Sequence, residues 1–288
     1  MISIIQERLK RYNARNTIEE EQAIKEIMQE VALYGLWRSK FFEIAAFQGG
    51  TNLRILHKLP RFSEDLDFML KETDVNFNWS PYLSSLQTTF EEFGLYSEIY
   101  PRGKMDKRIR QAVIKDNSIA NQLDLSMGLG DRRRKLKIKL KIDVEPPKYS
   151  VYQYSFLDFP LDYEVCHQDL PSNFALKIHA ILCRGFLKGR DWYDFNWYIK
   201  QNIFPNLEHL ESALKQFGPW SGNDQLSVDI GWLETVLLEK VSQINWDDAK
   251  EDVQRFLPPV ELESLTLWSA RFFSSKIATL VHNSPINL

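Results

Sequence analysis

The chain has 288 residues, 44% of them hydrophobic, and a formal net charge of only -3, enough apolar material for one large domain or two moderate ones. A balance so near neutrality excludes whole-molecule attraction to nucleic acid or to an acidic substrate, so any such preference must come from a local patch. No apolar run approaches the roughly 18 residues that span a bilayer, and "MISIIQERLKRYNARN" is too charged for a signal peptide; a cytoplasmic location with no membrane partner is expected.

Taken in chain order, the first forty residues predict helix. Thr17 is placed to cap a run in which Ile24, Ile27, Met28 and Val31 recur at three-and-four spacing. Extended signals follow in "FFEIAAF", "SEDLDFML", "KRIRQAVIK", "KLKIKLKIDVEP" and "YSFLDFPLDYEV", interrupted by a helix between Pro81 and Phe93. After Pro171 the pattern returns to helix, with Ser172 or Asn173 as the cap of "FALKIHAILCRGFL", then "RDWYDFNWYIKQN" and further helices beyond Pro205. The expected architecture is α+β: a mixed sheet with flanking helices over residues 1–165, then a helical C-terminal domain over 166–288. Cys166 and Cys183 are too few for a disulfide framework. A zinc site from Cys166, His167, His179 and Cys183 is disfavoured, because neighbours in an extended segment point to opposite faces.

Chemistry concentrates between Phe47 and Leu70, "FQGGTNLRILHKLPRFSEDLDFML". Gly49 and Gly50 allow backbone amides to approach an anion, Thr51 adds a hydroxyl, and a helix starting there directs its positive end at phosphate. The Lys-Ser/Thr pair of a P-loop is absent, Asn52-Leu53 standing in its place. On a strand, Ser63, Asp65 and Asp67 share one face while Leu66 and Phe68 face the core. Further on, Leu136, Ile138, Leu140, Ile142 and Val144 form a buried face and leave Lys135, Lys137, Lys139, Lys141 and Asp143 opposite. If the two strands are neighbours, Asp143 comes within reach of a cation shared with Asp65 and Asp67. Such a trio suits magnesium or manganese together with phosphate oxygens, hence phosphoryl or nucleotidyl transfer. Glu145 has the same strand parity as Asp143, so parity alone does not choose between them.

"GGTNLRILHKLPRFSEDLDF", "KIDVEP" and "ALKIHAILCRGFLKGRDWYDF", in that order, resemble the AbiEii family of nucleotidyltransferase toxins, within the DNA polymerase β-like superfamily. The resemblance implies a nucleotidyltransferase fold and a toxin of a type IV toxin–antitoxin or abortive-infection system, with a separately encoded antitoxin as partner. It implies that Gly49, Gly50 and Thr51 form the nucleotide-binding turn, Asp65 and Asp67 the metal pair, and Asp143 the third acid. It implies, too, that Lys177 contacts nucleotide phosphate and that Arg190 with Asp191 closes the site. From spacing alone, Lys177, Arg184 and Lys188 make a basic stripe able to converge on phosphates, whereas Arg190 and Asp194 are placed to pair on the helix surface. Arg61, just before the acid pair, is a further candidate for phosphate.

The substrate expected is a nucleoside triphosphate, and the acceptor transfer RNA, approached through the basic stretches "PRGKMDKRIRQAVIK" and "DRRRKLKIKLK". A small-molecule or protein acceptor, or a nucleotide- or RNA-binding module without turnover, are the alternatives. Aromatic residues of "RDWYDFNWY" are able to stack on a base, but at helical spacing they suit a core.

Overall fold

The computed structural model describes residues 2–104, 108–116, 119 and 136–284. The chain divides into two compact units: residues 1–58, 62–146 and 152–167 form one, and residues 59–61, 147–151 and 168–288 the other. Among the described residues no helix is long and apolar enough to cross a membrane.

The first unit is built on a seven-stranded mixed sheet. Its strands are β1 (Ala45–Gln48), β2 (Leu66–Leu70), β3 (Glu98–Lys104), β4 (Ile109–Asp116), β5 (Leu136–Asp143), β6 (Tyr152–Leu157) and β7 (Tyr163–Gln168), in the order β3-β4-β5-β2-β1-β7-β6. β2 runs antiparallel to β1 and parallel to β5. Alternation dictates β5: Leu136, Ile138, Leu140 and Ile142 are buried while the lysines between them are half-exposed, as a pleated strand with one face on a core requires. Among the described residues, helices α1 (Ile2–Lys10), α2 (Thr17–Arg38), α3 (Phe41–Ile44), α4 (Gly49–His57) and α5 (Ser80–Glu92) belong to the same unit. Ile24, Ile27, Met28 and Val31 of α2 join Leu86 and Phe90 of α5 and the apolar sheet face in one core.

Two local expectations change, and one strand was not anticipated. Asn16, not Thr17, caps α2: its side chain accepts from the backbone N–H groups of Ile18 and Glu19, leaving Thr17 as the first helical residue. "FFEIAAF" splits into a single helical turn and a strand, because Phe41 and Phe42 are buried side by side, which alternation along a strand does not allow on one face. β3 contains Pro101 and Gly103, poor strand formers, and is paired with β4 across an irregularity between those two residues.

The second unit is helical: α6 (Leu170–Cys183), α7 (Gly189–Lys200), α8 (Leu207–Gln216), α9 (Ile230–Ser242), α10 (Trp246–Gln254), α11 (Pro259–Leu262) and α12 (Ala270–His282), with a 3-10 turn over Glu263–Leu267. α6 starts earlier than expected. Asp169 caps it by accepting from Ser172 N–H, and Pro171 fits the first turn, where its missing N–H costs nothing. The aromatic stripe of α7 belongs to the core: Trp192, Phe195 and Tyr198 are buried, Tyr198 stacks on Phe174 at 4.3 Å, and Trp192 meets Phe273 edge-on at 5.1 Å.

Candidate active site

In the first unit, β1 delivers the chain into α4 at Gly49, whose φ of +78° lies in the left-handed region open to glycine. Gln48 is in register with Asp67, and a Cβ on Gly49 would lie 3.2 Å from Asp67 Oδ2. Glycine is therefore required twice over, by the backbone angle and by the carboxylate pressed against it. Thr51 is fully buried, and its hydroxyl donates to the backbone carbonyl of Asp65. The hydroxyl expected at an anion is thus bonded to the loop that carries the acid, fixing α4 against β2. Two contacts from α2 hold the same parts: Arg54 of α4 donates to Glu26 at 2.8 Å, and Gln29 donates to the carbonyl of Ser63 at 3.1 Å.

Asp65 immediately precedes β2 and Asp67 lies within it, both half-buried. The parallel register pairs Asp67 with Lys141 and Met69 with Asp143. Asp67, Lys141 and Asp143 therefore share one sheet face, with Asp143 one pleat further along. Lys141 Nζ stands 2.5 Å from Asp65 Oδ2 and 3.8 Å from Asp67 Oδ1, so the sheet itself places a cation between the two acids. Asp143 is held separately: Arg108 Nη2 lies 2.6 Å from its Oδ2, and Glu145 N–H donates to its Oδ1 at 3.0 Å. β5 ends at Asp143, so strand parity does not carry over to Glu145. Its backbone supports Asp143 instead.

The expected trio is consequently only half assembled. Asp65 and Asp67 come together on Lys141, Asp143 is on their face but turned to Arg108, and among the described residues no group of three His, Cys, Asp or Glu is close enough to hold one metal ion. Carboxylates repel unless a counter-charge intervenes, and here the chain supplies one cation to each part of the set. The donor chemistry nevertheless fits a hard divalent cation, because every group is an oxygen ligand and the ammonium of Lys141 marks a position that two carboxylates can share.

In the second unit a buried charge cluster surrounds α7. Lys177 Nζ lies 2.8 Å from both Asp191 Oδ1 and Asp194 Oδ2. Arg61 grips Asp194 with a two-pronged fork, Nε to Oδ1 and Nη2 to Oδ2, both 2.6 Å, and Arg184 pairs with Asp191 Oδ2. Asp194 has no exposed surface and Arg61 only 2%, so the surface pairing expected between Arg190 and Asp194 does not form: Asp194 faces inward to Arg61 and Lys177. Arg190 instead stacks over the Phe256 ring, 4.0 Å from its centroid. Nor do Lys177, Arg184 and Lys188 make an exposed stripe, since α6 ends at Cys183 and the half-buried Lys177 is turned onto its acids.

Burial alone would push the Asp191 and Asp194 carboxyls up, yet both are held below the usual carboxylate range, Asp191 by Lys177 and Arg184, Asp194 by Arg61 and Lys177. Lys177 is raised in turn: burial opposes its charge, and the two acids more than offset it. Lys188 goes the other way, pushed down to about 8 by burial, with Asp191 opposing and Arg190, Lys177 and Arg184 adding to the drop.

Sequence reasoning missed the roles of Lys141 and Arg108 as partners of the acids. Lys141 carried a signal in its alternation with Asp143, but only the β2–β5 register puts it opposite Asp67. Of the basic stretches, residues 105–107 and 131–135 lie outside the described residues.

The family model described as "Nucleotidyl transferase AbiEii toxin, Type IV TA system" matches residues 31–274. Solved structures similar to this chain include the following two. A "putative nucleotidyltransferase from H. pylori" is 16% identical with a TM-score of 0.46, the match covering 88% of this chain and 90% of that one. JHP933 from Helicobacter pylori is 15% identical with a TM-score of 0.49, covering 91% of each. No curated protein matches the chain.

Proposed function

The chain belongs to the family of AbiEii nucleotidyltransferase toxins of type IV toxin–antitoxin systems, and from that premise we propose that it transfers a nucleoside monophosphate from a nucleoside triphosphate to a hydroxyl of transfer RNA. The acceptor oxygen bonds to the α-phosphorus, the bond from that phosphorus to the bridging oxygen breaks, and pyrophosphate leaves. Asp143 takes the hydroxyl proton. Gly49 and Gly50 open α4 toward the triphosphate with two amides at the positive end of the helix, and Thr51 serves by anchoring that turn to Asp65. Lys177, Arg61, Arg190 and Asp191 are assigned to the nucleotide side, with Asp191 and Asp194 keeping Lys177 charged.

Asp65 and Asp67 are the pair that would hold magnesium or manganese, with Asp143 joining once it releases Arg108. When bound, the ion would neutralise charge on the triphosphate and on the departing pyrophosphate. Lys141 keeps the acid pair compensated until then. In this scheme residues 1–165 carry the transfer and residues 166–288 form a helical domain beside it in sequence. A cognate antitoxin follows from the family.

The observation that carries the proposal is that the family match at residues 31–274 takes in every residue named here. The test is incubation of the purified protein with each α-labelled nucleoside triphosphate and magnesium, separately with transfer RNA, other RNA, protein extract and small metabolites. Label on transfer RNA is expected. Label only on a metabolite or protein moves the acceptor to that class, and no label on any acceptor overturns the proposal in favour of a binding module.

A further inference from the structure

In the first unit β6 is the end strand of the sheet, bonded to β7 on one side and, among the described residues, to no strand on the other. We propose that this open edge takes up an extended, basic segment of a partner protein as an added strand. The inference is independent of the transferase reading, since it uses none of the residues assigned there.

The two ends of the sheet differ. An end strand offers backbone N–H and C=O groups to any strand that approaches, and natural sheets blunt such edges with proline, charge or a bulge. β3, at the far end, carries Pro101, the charge of Arg102 and an irregularity in its pairing between Pro101 and Gly103. The β6 segment, "YQYSFL", has neither proline nor charge. It is nevertheless fixed from within: Ser155 Oγ and His167 Nε2 of β7 are 2.9 Å apart, and Tyr152 and Leu157 pack against the core of the unit. On the face opposite Ser155, two aromatic residues stand in solvent. Phe156 is 80% exposed and Tyr154 58%, and their two-residue spacing puts them side by side. An added strand would lay alternate side chains across both rings.

Charge decides the occupant. The hairpin of β6 and β7, residues 152–167, contains three acids, Asp158, Asp162 and Glu164, and no lysine or arginine. Asp158 and Asp162 are exposed. Two cations in the neighbourhood are already committed. Arg8, which attracts Asp158, is bonded to Glu30 at 2.6 Å, and the Lys71 ammonium donates to the carbonyls of Phe42 at 2.8 Å and Glu43 at 3.2 Å. A second copy of this chain pairing through β6 would bring one acidic hairpin onto another, so self-association through this edge is opposed by like charge. A strand with arginine or lysine at alternate positions satisfies both the rings and the acids. Its backbone pairs with the edge, its cations lie over Tyr154 and Phe156, and the next one along reaches Asp158. Tyr154 already accepts a cation in this way: Lys71 Nζ lies 5.3 Å from its ring centroid. The partner segment need be only about as long as β6 itself, six residues.

The test is fluorescence anisotropy of the full chain with labelled decapeptides at physiological salt: alternating Arg-Val, the same peptide methylated at every backbone nitrogen so that it cannot pair as a strand, and alternating Glu-Val. The unmodified Arg-Val peptide should bind and the other two should not. Phe156→Ala should weaken that binding about tenfold or more, as truncation of an aromatic anchor does, and the double change Asp158→Asn, Asp162→Asn should weaken it and flatten its dependence on salt. No binding of the Arg-Val peptide, equal binding of its methylated form, or equal affinity for wild type and Phe156→Ala with both folded by thermal melting, overturns the proposal. A wild-type dimer in sedimentation that Phe156→Ala separates overturns it in favour of a second copy of this chain.

Discussion

Lys141 is the residue on which the acid pair turns. Its ammonium shares Asp65 and Asp67, so a divalent cation entering the pair must displace or outbid it. Lys141→Met should therefore lower the melting temperature in chelator and regain it with magnesium, giving a larger magnesium-induced shift than wild type shows; equal shifts would place the ion elsewhere. Asp65→Ala and Asp67→Ala should cut label transfer by about 100-fold or more with little change in melting, because both side chains are part-exposed and serve charge rather than core. His57, the last residue of α4, carries a pH dependence. Burial, with the His167 ring 5.8 Å away adding to it, pushes its imidazole down to about 4 from the usual 6.5. Folding thus favours the neutral ring, so its contribution is fully present above pH 6.5 and is lost as pH falls through about 4. His57→Gln should reduce the acid loss of stability between those values by about 1–2 kcal/mol, allowing for partial exposure, as read from urea melts at stepped pH.

At the scale of elements, two junctions decide the geometry. Where β1 meets α4, Gly49→Ala forces a left-handed alanine, costing about 1–2 kcal/mol, and its methyl presses on the Asp67 carboxylate; loss of transfer beyond that expected from stability should follow, measured by activity at a temperature where both proteins are folded. Where α6 meets α7, the cluster of Arg61, Lys177, Asp191 and Asp194 is a buried network whose members cannot be removed singly without stranding a charge. Asp194→Ala should destabilise by about 3–5 kcal/mol, and Lys177→Ala should lower thermal stability as well as nucleoside triphosphate affinity. A loss of affinity at unchanged melting would free Lys177 from the structural part of that role.

For the whole molecule, membership of a toxin family predicts that expressing the chain arrests growth of its host and that Asp67→Asn relieves the arrest at equal protein level; arrest that persists in the variant would detach toxicity from the acid pair. Much of the plan was legible beforehand. The alternation of β5 marked its buried face correctly, because period-two patterning is a local consequence of the pleat, and the order of Gly-Gly-Thr, Asp-x-Asp and later acid was enough for the family. The helical C-terminal region followed from apolar spacing in the same way. Partnerships were not legible. That Thr51 bonds to Asp65 rather than offering its hydroxyl, that Lys141 divides itself between Asp65 and Asp67, that Arg108 holds Asp143, and that Asp194 turns inward to Arg61 all depend on register and packing between segments as much as 133 residues apart. The sequence by itself determined which residues are acids, cations and turn formers and the period on which they recur; the tertiary structure alone decided which charge meets which, because ion pairing falls off within a few ångströms while the chain's own pattern constrains only near neighbours.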